Sequence, residues 1–125
     1  MRFLPTKIHG LLDYLTGIAL VFSPFFLWTT EMGADFWVPF LLGAGMVVYS
    51  VWTDYEWGAF RTLSMATHLK LDLGAGILLA VSPWLFGFAD LVFWPHLVFG
   101  IFEIAASLFT SKEPSRRGVL GPNSL

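Results

Sequence analysis

The sequence has no cysteine, which removes disulfides, thiolate metal sites, iron–sulfur clusters and cysteine nucleophiles together. Charge is scarce as well: Asp, Glu, Lys and Arg make up 13% of the 125 residues, against roughly 25% in soluble domains. A chain with so few charges cannot cover a water-facing surface. The net charge of −2 comes with no basic run interleaved with aromatics, so nucleic acid is excluded as a partner. No Ser/His/Asp order, phosphate-cradling glycine loop, zinc-protease helix or dinucleotide fingerprint is present, which removes the enzyme classes that depend on them. What is abundant is apolar: 56% of residues are hydrophobic and 18% aromatic, and they come in long blocks, not amphipathic stripes.

Four such blocks, residues 11–28, 36–52, 71–88 and 91–109, each approach the ~20 residues needed to cross a bilayer. Backbone groups in hydrocarbon must be bonded within their own segment, so helix is expected even where Phe and Val would favour strand in water. The basic residues Arg2, Lys7, Arg61, Lys70, Lys112, Arg116 and Arg117 all fall on one side of this alternation, while Glu31, Asp35 and Asp90 lie on the other. By the positive-inside rule both termini and the middle connection are cytoplasmic. Trp28, Trp37, Trp84 and Trp94 are expected at the outer interface, and Trp52, Trp57, Tyr49 and Tyr55 at the inner one. The first block is expected to stay in the mature protein, because no small-residue cleavage site follows Phe26 and Asp13 interrupts its apolar core.

The halves repeat. An offset of 59 residues pairs Arg2 with Arg61, His9 with His68, Asp13 with Asp72 and Gly17 with Gly76, and lays Ser23, Pro24 and Phe25 on Ser82, Pro83 and Trp84. With a gap of two in the outer loop, Trp37 meets Trp94, Gly43 meets Gly100 and Ser50 meets Ser107. Since each unit holds two spans, the expected fold is an all-α membrane protein. It is a four-helix bundle of two tandem helical hairpins with pseudo-twofold symmetry along the membrane normal. Residues 1–59 form the first repeat, 60–110 the second, and 111–125 a polar cytoplasmic tail expected to be extended or disordered.

A doubled hairpin with Ser-Pro-Trp or Ser-Pro-Phe late in its first helix resembles the SPW repeat family of small bacterial membrane proteins. The second copy carries the full motif, and the first has Phe25 in place of Trp. The resemblance implies a bacterial protein of the inner membrane, and it brings no catalytic activity with it.

Pro24 and Pro83 free the carbonyls of Leu20 and Leu79 and favour a kink, which Ser23 and Ser82 are expected to soften by bonding back to Ala19 and Leu78. Gly17, Gly43, Gly76 and Gly100 are expected to line the contact between hairpins, where small residues let helices approach. His9 with Asp13, and His68 with Asp72, share a helix face four residues apart, and the symmetry could bring all four together. That set could hold a divalent metal, a proton or haem; the plainer reading has each Asp steadying its neighbouring His or Lys near the headgroups. Glu103, opposite Met46 in the repeat, lies two turns inside the last span. It is costly there unless protonated or paired, and is expected either to accept a hydrogen bond from a neighbouring helix or to serve a proton-linked site. His96 reads as an interfacial helix start. Residues 53–56 are expected to open a short interfacial segment through Phe60 and Met65.

Taken together, these residues point to a non-enzymatic protein in the lipid bilayer, acting through helix packing as an accessory or assembly subunit or as a homo-oligomer, with no cofactor. The rival is a proton- or ion-conducting, or metal- or haem-binding, protein that uses His9, Asp13, His68, Asp72 and Glu103. An enzyme acting on a lipid or quinone headgroup is the third reading.

Overall fold

A computed structural model of the chain describes residues 1–27 and 31–114. The regular elements are four helices: α1 Thr6–Leu27, α2 Ala34–Trp52, α3 Met65–Leu85 and α4 Trp94–Phe109. Among the described residues there is no strand, only two isolated bridges. Three of the helices are long and apolar enough to cross a membrane. The fourth has 16 residues, about 24 Å at 1.5 Å per residue, and is shorter than the span expected from the sequence. Its start is displaced because residues 88–92 form a turn, with the Leu91 and Val92 amides donating to the Phe88 carbonyl. Pro95 then stands in the first turn, where its missing N–H costs nothing.

The odd helices begin earlier than their apolar blocks. α3 starts at Met65 because Ser64 caps it, its hydroxyl accepting from the Thr67 amide at 3.2 Å. It ends at Leu85, and Gly87, at φ 77°, takes the left-handed turn that follows. The polar first turns of α1 and α3 are what carry His9 and His68. The sequence position Trp28 and the tail beyond 114 lie outside the described residues.

Packing is strongest within each hairpin, α1 on α2 and α3 on α4, with α2 set against α3. The four glycines sit in those intra-hairpin contacts, which corrects the expectation that they line the contact between hairpins. A Cβ on Gly43 would stand 2.6 Å from the Gly17 carbonyl oxygen, and one on Gly100 would stand 2.6 Å from that of Gly76. The repeat pairs Gly17 with Gly76, yet each glycine's real partner is on the next helix of its own hairpin, because a tight connection forces those two backbones closest.

Polarity is turned inside out relative to a soluble bundle. Leu15, Phe22, Ile77, Val81, Val98 and Ile101 are exposed, whereas Asp13, Ser50, Asp72, Glu103, Ser107 and Thr110 are buried. Trp37, Trp52, Trp57, Trp84 and Trp94 keep exposed faces, as membrane-interface residues do. Tyr55 is buried and Tyr49 half-buried, so these two turn inward instead of joining an interfacial belt. The core proper is Leu20, Met46 and Leu79, each 1% exposed.

The Ser-Pro motif has a local explanation. Ser82 donates its hydroxyl to the Leu79 carbonyl at 2.7 Å, the carbonyl that Pro83 leaves without its helical donor. The acceptor is therefore Leu79 and not the expected Leu78, because that is the group in need of a proton. Ser23 is half-buried, and its buried hydroxyl has no hydrogen-bond partner among the described residues. Replacing Ser82 with alanine should therefore lower stability by about 1 kcal/mol, while Ser23→Ala should change it by less than about 0.5 kcal/mol. Reversible unfolding of the two variants in mild detergent checks the contrast. Phe25 and Trp84 present exposed rings just beyond the prolines.

A buried histidine and aspartate ring

Two strand-like closures set the site. Before α1, the Leu4 amide donates to the Phe109 carbonyl and its own carbonyl accepts from Ser111; before α3, Leu63 does the same with Trp52 and Asp54. These pairings place Thr110, the residue after α4, beside α1, and Thr53, the residue after α2, beside α3. Arg2 adds two bonds from its guanidinium to the Ser107 and Thr110 carbonyls, at 2.9 and 2.8 Å, filling the empty acceptors of the α4 end. Arg61, its counterpart in the repeat, bonds instead to the Gly58 carbonyl.

Each threonine then holds a histidine. Thr110 donates its hydroxyl to the Ala106 carbonyl at 2.6 Å, and Thr53 donates to that of Tyr49 at 2.7 Å. With the hydroxyl proton committed, each oxygen accepts from an imidazole: His9 Nδ1 donates to Thr110 Oγ1 and His68 Nδ1 to Thr53 Oγ1, both at 2.7 Å. Every His–Thr bond joins one hairpin to the other. The assignment places a proton on Nδ1 and turns Nε2 toward the interior.

There the two Nε2 atoms meet two carboxylate oxygens. His9 Nε2 is 2.8 Å from Asp72 Oδ2 and 3.1 Å from Asp13 Oδ2; His68 Nε2 is 2.6 Å from Asp13 Oδ2 and 3.1 Å from Asp72 Oδ2. The shorter contact of each histidine is to the aspartate of the other hairpin. Spacing by one helical turn sets each His over its own Asp, and hairpin packing then brings the two sets face to face. All four residues are at most 1% exposed. Asp72 also accepts from the Tyr49 hydroxyl, whereas the second oxygen of Asp13 has no hydrogen-bond partner among the described residues. Tyr49 stands where the repeat puts Ala106, which is why only one aspartate gains a phenol.

Tyr55, Met65 and Leu69 form a small buried cluster beside His68, with the Tyr55 ring 5.4 Å from the imidazole. Gly10 makes room for that tyrosine, since a Cβ there would run into its ring. Burial pushes the Tyr55 phenol above its ordinary value. Thr6 donates to the Glu56 carboxylate, and the Trp57 indole donates to the Lys7 carbonyl at 2.7 Å, so residues 53–64 are tied onto the start of α1. Of the segment expected at the interface, Thr53, Tyr55 and Met65 are drawn inside, while Trp57 and Phe60 stay exposed.

Glu103 is buried in the same interior, within electrostatic range of both His–Asp pairs, but outside their ring. Neither of its carboxyl oxygens has a hydrogen-bond partner among the described residues, which corrects the expectation of a bond from a neighbouring helix. The nearby donors are committed elsewhere: His Nε2 to Asp13 and Asp72, and Tyr49 to Asp72. Its Cβ packs 3.0 Å from where a Gly76 Cβ would be. Glu103→Met, which restores the Met46 of the other half, should raise stability by about 1–3 kcal/mol, and Glu103→Gln should change it by less than about 1 kcal/mol. A loss on introducing Met, read by the same unfolding assay, would mean that the carboxyl group has a structural partner.

His96 is also internal, 1% exposed, and donates from Nε2 to the Asp35 carbonyl at 2.9 Å. It is therefore not the interfacial residue expected from its place at a helix start. A polar residue beside proline reads as interface, but here α2 offers it a carbonyl across the bundle.

Haem does not fit the histidine pair. The two imidazole centroids are 5.5 Å apart and edge-on, and both Nε2 atoms are already covered by carboxylate oxygens, so no flat slot separates them. The donor set does suit a small ion: four ligand atoms, two nitrogen and two oxygen, lie within 4.8 Å of one another.

Sequence reasoning did not find Thr53, Thr110 or Tyr49. The threonines were within reach, since they lie three residues beyond the matched Ser50 and Ser107 and repeat like them. Comparison with known families finds one model, the SPW repeat domain, that matches residues 7–110 and so covers both hairpins and all four ring residues. No curated protein and no solved structure matches the chain.

Proposed function

The chain belongs to the SPW repeat family and is a small membrane protein, and from that premise we propose that it is a non-enzymatic inner-membrane protein working through helix contacts, as an assembly or accessory subunit or as a homo-oligomer. Its hairpins are two copies of one unit related by a pseudo-twofold axis along the membrane normal. Both termini face the cytoplasm. The matched closures Leu4 with Thr110 and Leu63 with Thr53, and the matched His–Thr bonds, support the axis. The gathering of Arg2, Lys70 and Lys112 around a notch of about 100 Å³ between α3 and α4 supports a cytoplasmic end facing anionic lipid.

The observation that carries the non-enzymatic reading is closure. His9, Asp13, His68, Asp72 and Glu103 are each at most 1% exposed, so no substrate reaches them without opening the bundle. What the chain offers its surroundings is an apolar helical surface. Small open places on it, at Gly45 and Gly74 where a Cβ would touch nothing within 4 Å, suit close approach by another helix.

Light scattering of the tag-free protein in mild detergent tests the role. A single discrete mass well above one 14.0 kDa chain, held on dilution, is the expected result. A monomer at every concentration that leaves the membrane without a stoichiometric companion would overturn it.

A further inference from the structure

We propose that His9, Asp13, His68 and Asp72 form a structural site for one divalent transition-metal ion of the zinc class, which staples the two hairpins together. The inference does not depend on the assembly role. It rests on the ring alone.

Two separate ion pairs would set each imidazole against one carboxylate. Here each Nε2 faces both Oδ2 atoms, at 2.8 and 3.1 Å for His9 and at 2.6 and 3.1 Å for His68. One N–H cannot point at two oxygens with good geometry. Four atoms that each face two others are directed at a common centre. Ligands about 2.0–2.1 Å from a tetrahedral ion stand about 3.3 Å apart, so the four His–Asp contacts, at 2.6–3.1 Å, need to open by about 0.2–0.7 Å to coordinate one.

The charges agree. Asp13 and Asp72 bring two carboxylates within reach of each other in a site closed to water, and a dication balances both with one particle. Two nitrogens and two oxygens suit zinc and its neighbours better than the all-oxygen set that calcium or magnesium prefers. The outer layer also fits. Metal-binding histidines carry their other ring nitrogen on a fixed acceptor, as His9 does on Thr110 and His68 on Thr53. Tyr49 similarly holds the free oxygen of Asp72. The remaining oxygen of Asp13, Oδ1, is buried and has no hydrogen-bond partner among the described residues.

The test is elemental analysis and Co²⁺ titration of the tag-free protein, purified without chelator and then dialysed against Zn²⁺. One ion per chain is expected, with visible ligand-field absorption on Co²⁺ loading, and a chelator should lower the melting temperature. Asp13→Asn with Asp72→Asn should abolish binding, Thr110→Val should weaken it about 10–100-fold by releasing His9, and Glu103→Gln should leave it intact. Folded wild-type protein that takes up no Zn²⁺ or Co²⁺ overturns the proposal, as does full binding by the doubly substituted chain. Should that chain fail to fold, the wild-type titration and Thr110→Val decide.

Discussion

Replacing Asp72 with alanine is expected to cost the fold about 3–5 kcal/mol, the loss usual when one member of a buried charged network is removed. The carboxylate meets His9, His68 and Tyr49 at once; its loss strips the Tyr49 hydroxyl of its acceptor and His9 of its shorter carboxylate contact, and leaves both imidazoles to share Asp13. Asp13→Ala should cost less, by about 1 kcal/mol, because Asp13 has the two histidines but no phenol. The ranking matters more than either figure, since it follows from Tyr49 occupying one half of the repeat and Ala106 the other. Unfolding curves of both variants in detergent give the comparison. Equal losses, or a loss at Asp72 within experimental error, would mean that the ring does not form as described.

Gly100→Val should cost about 3 kcal/mol, toward the upper end for overpacking. A Cβ at this position would meet the Ala80 Cβ and the Gly76 carbonyl oxygen, both at 2.6 Å, and a backbone group cannot swing away as a side chain would. The same reasoning applies to Gly43, whose Cβ would fall 2.7 Å from the Leu20 Cβ. Gly45→Ala and Gly74→Ala are the controls: both have open space, and alanine's better helix propensity should leave stability unchanged or raised by up to about 1 kcal/mol. Thermal melting of the four variants separates them, and similar melting temperatures throughout would contradict the close helix approach.

Much of the fold was legible because lipid simplifies the physics. Long apolar blocks have to be helices, and the repeat sets their number and order. Helix starts were misread where hydropathy is the wrong guide. The first turns of α1 and α3 carry Thr6, His9 and His68, polar residues at the bundle's end that fall outside an apolar block although they are helical and buried. The His–Asp pairs were visible as candidates through their spacing of one turn and their recurrence. That each histidine bonds more closely to the aspartate of the opposite hairpin was not, because it depends on how two helices pack across the bundle.

Glu103 and His96 show the limit from the other side. A glutamate in an apolar span advertises itself, but the absence of a donor follows only from knowing that Tyr49 and both imidazoles are already engaged. His96 sits beside a proline at a helix start, and its carbonyl partner on Asp35 is 61 residues away in sequence. Contacts of that range leave no local trace.

The most direct test of the central claim, that the hairpins are locked to each other through one buried ring, is a double-mutant cycle between His9→Gln and Asp72→Asn. The two residues are 63 apart in sequence and 2.8 Å apart in the structure. The expected coupling is about 1–3 kcal/mol, the range for groups sharing a buried network. Additive losses, with no coupling beyond error, would show that His9 and Asp72 do not meet and would contradict the account.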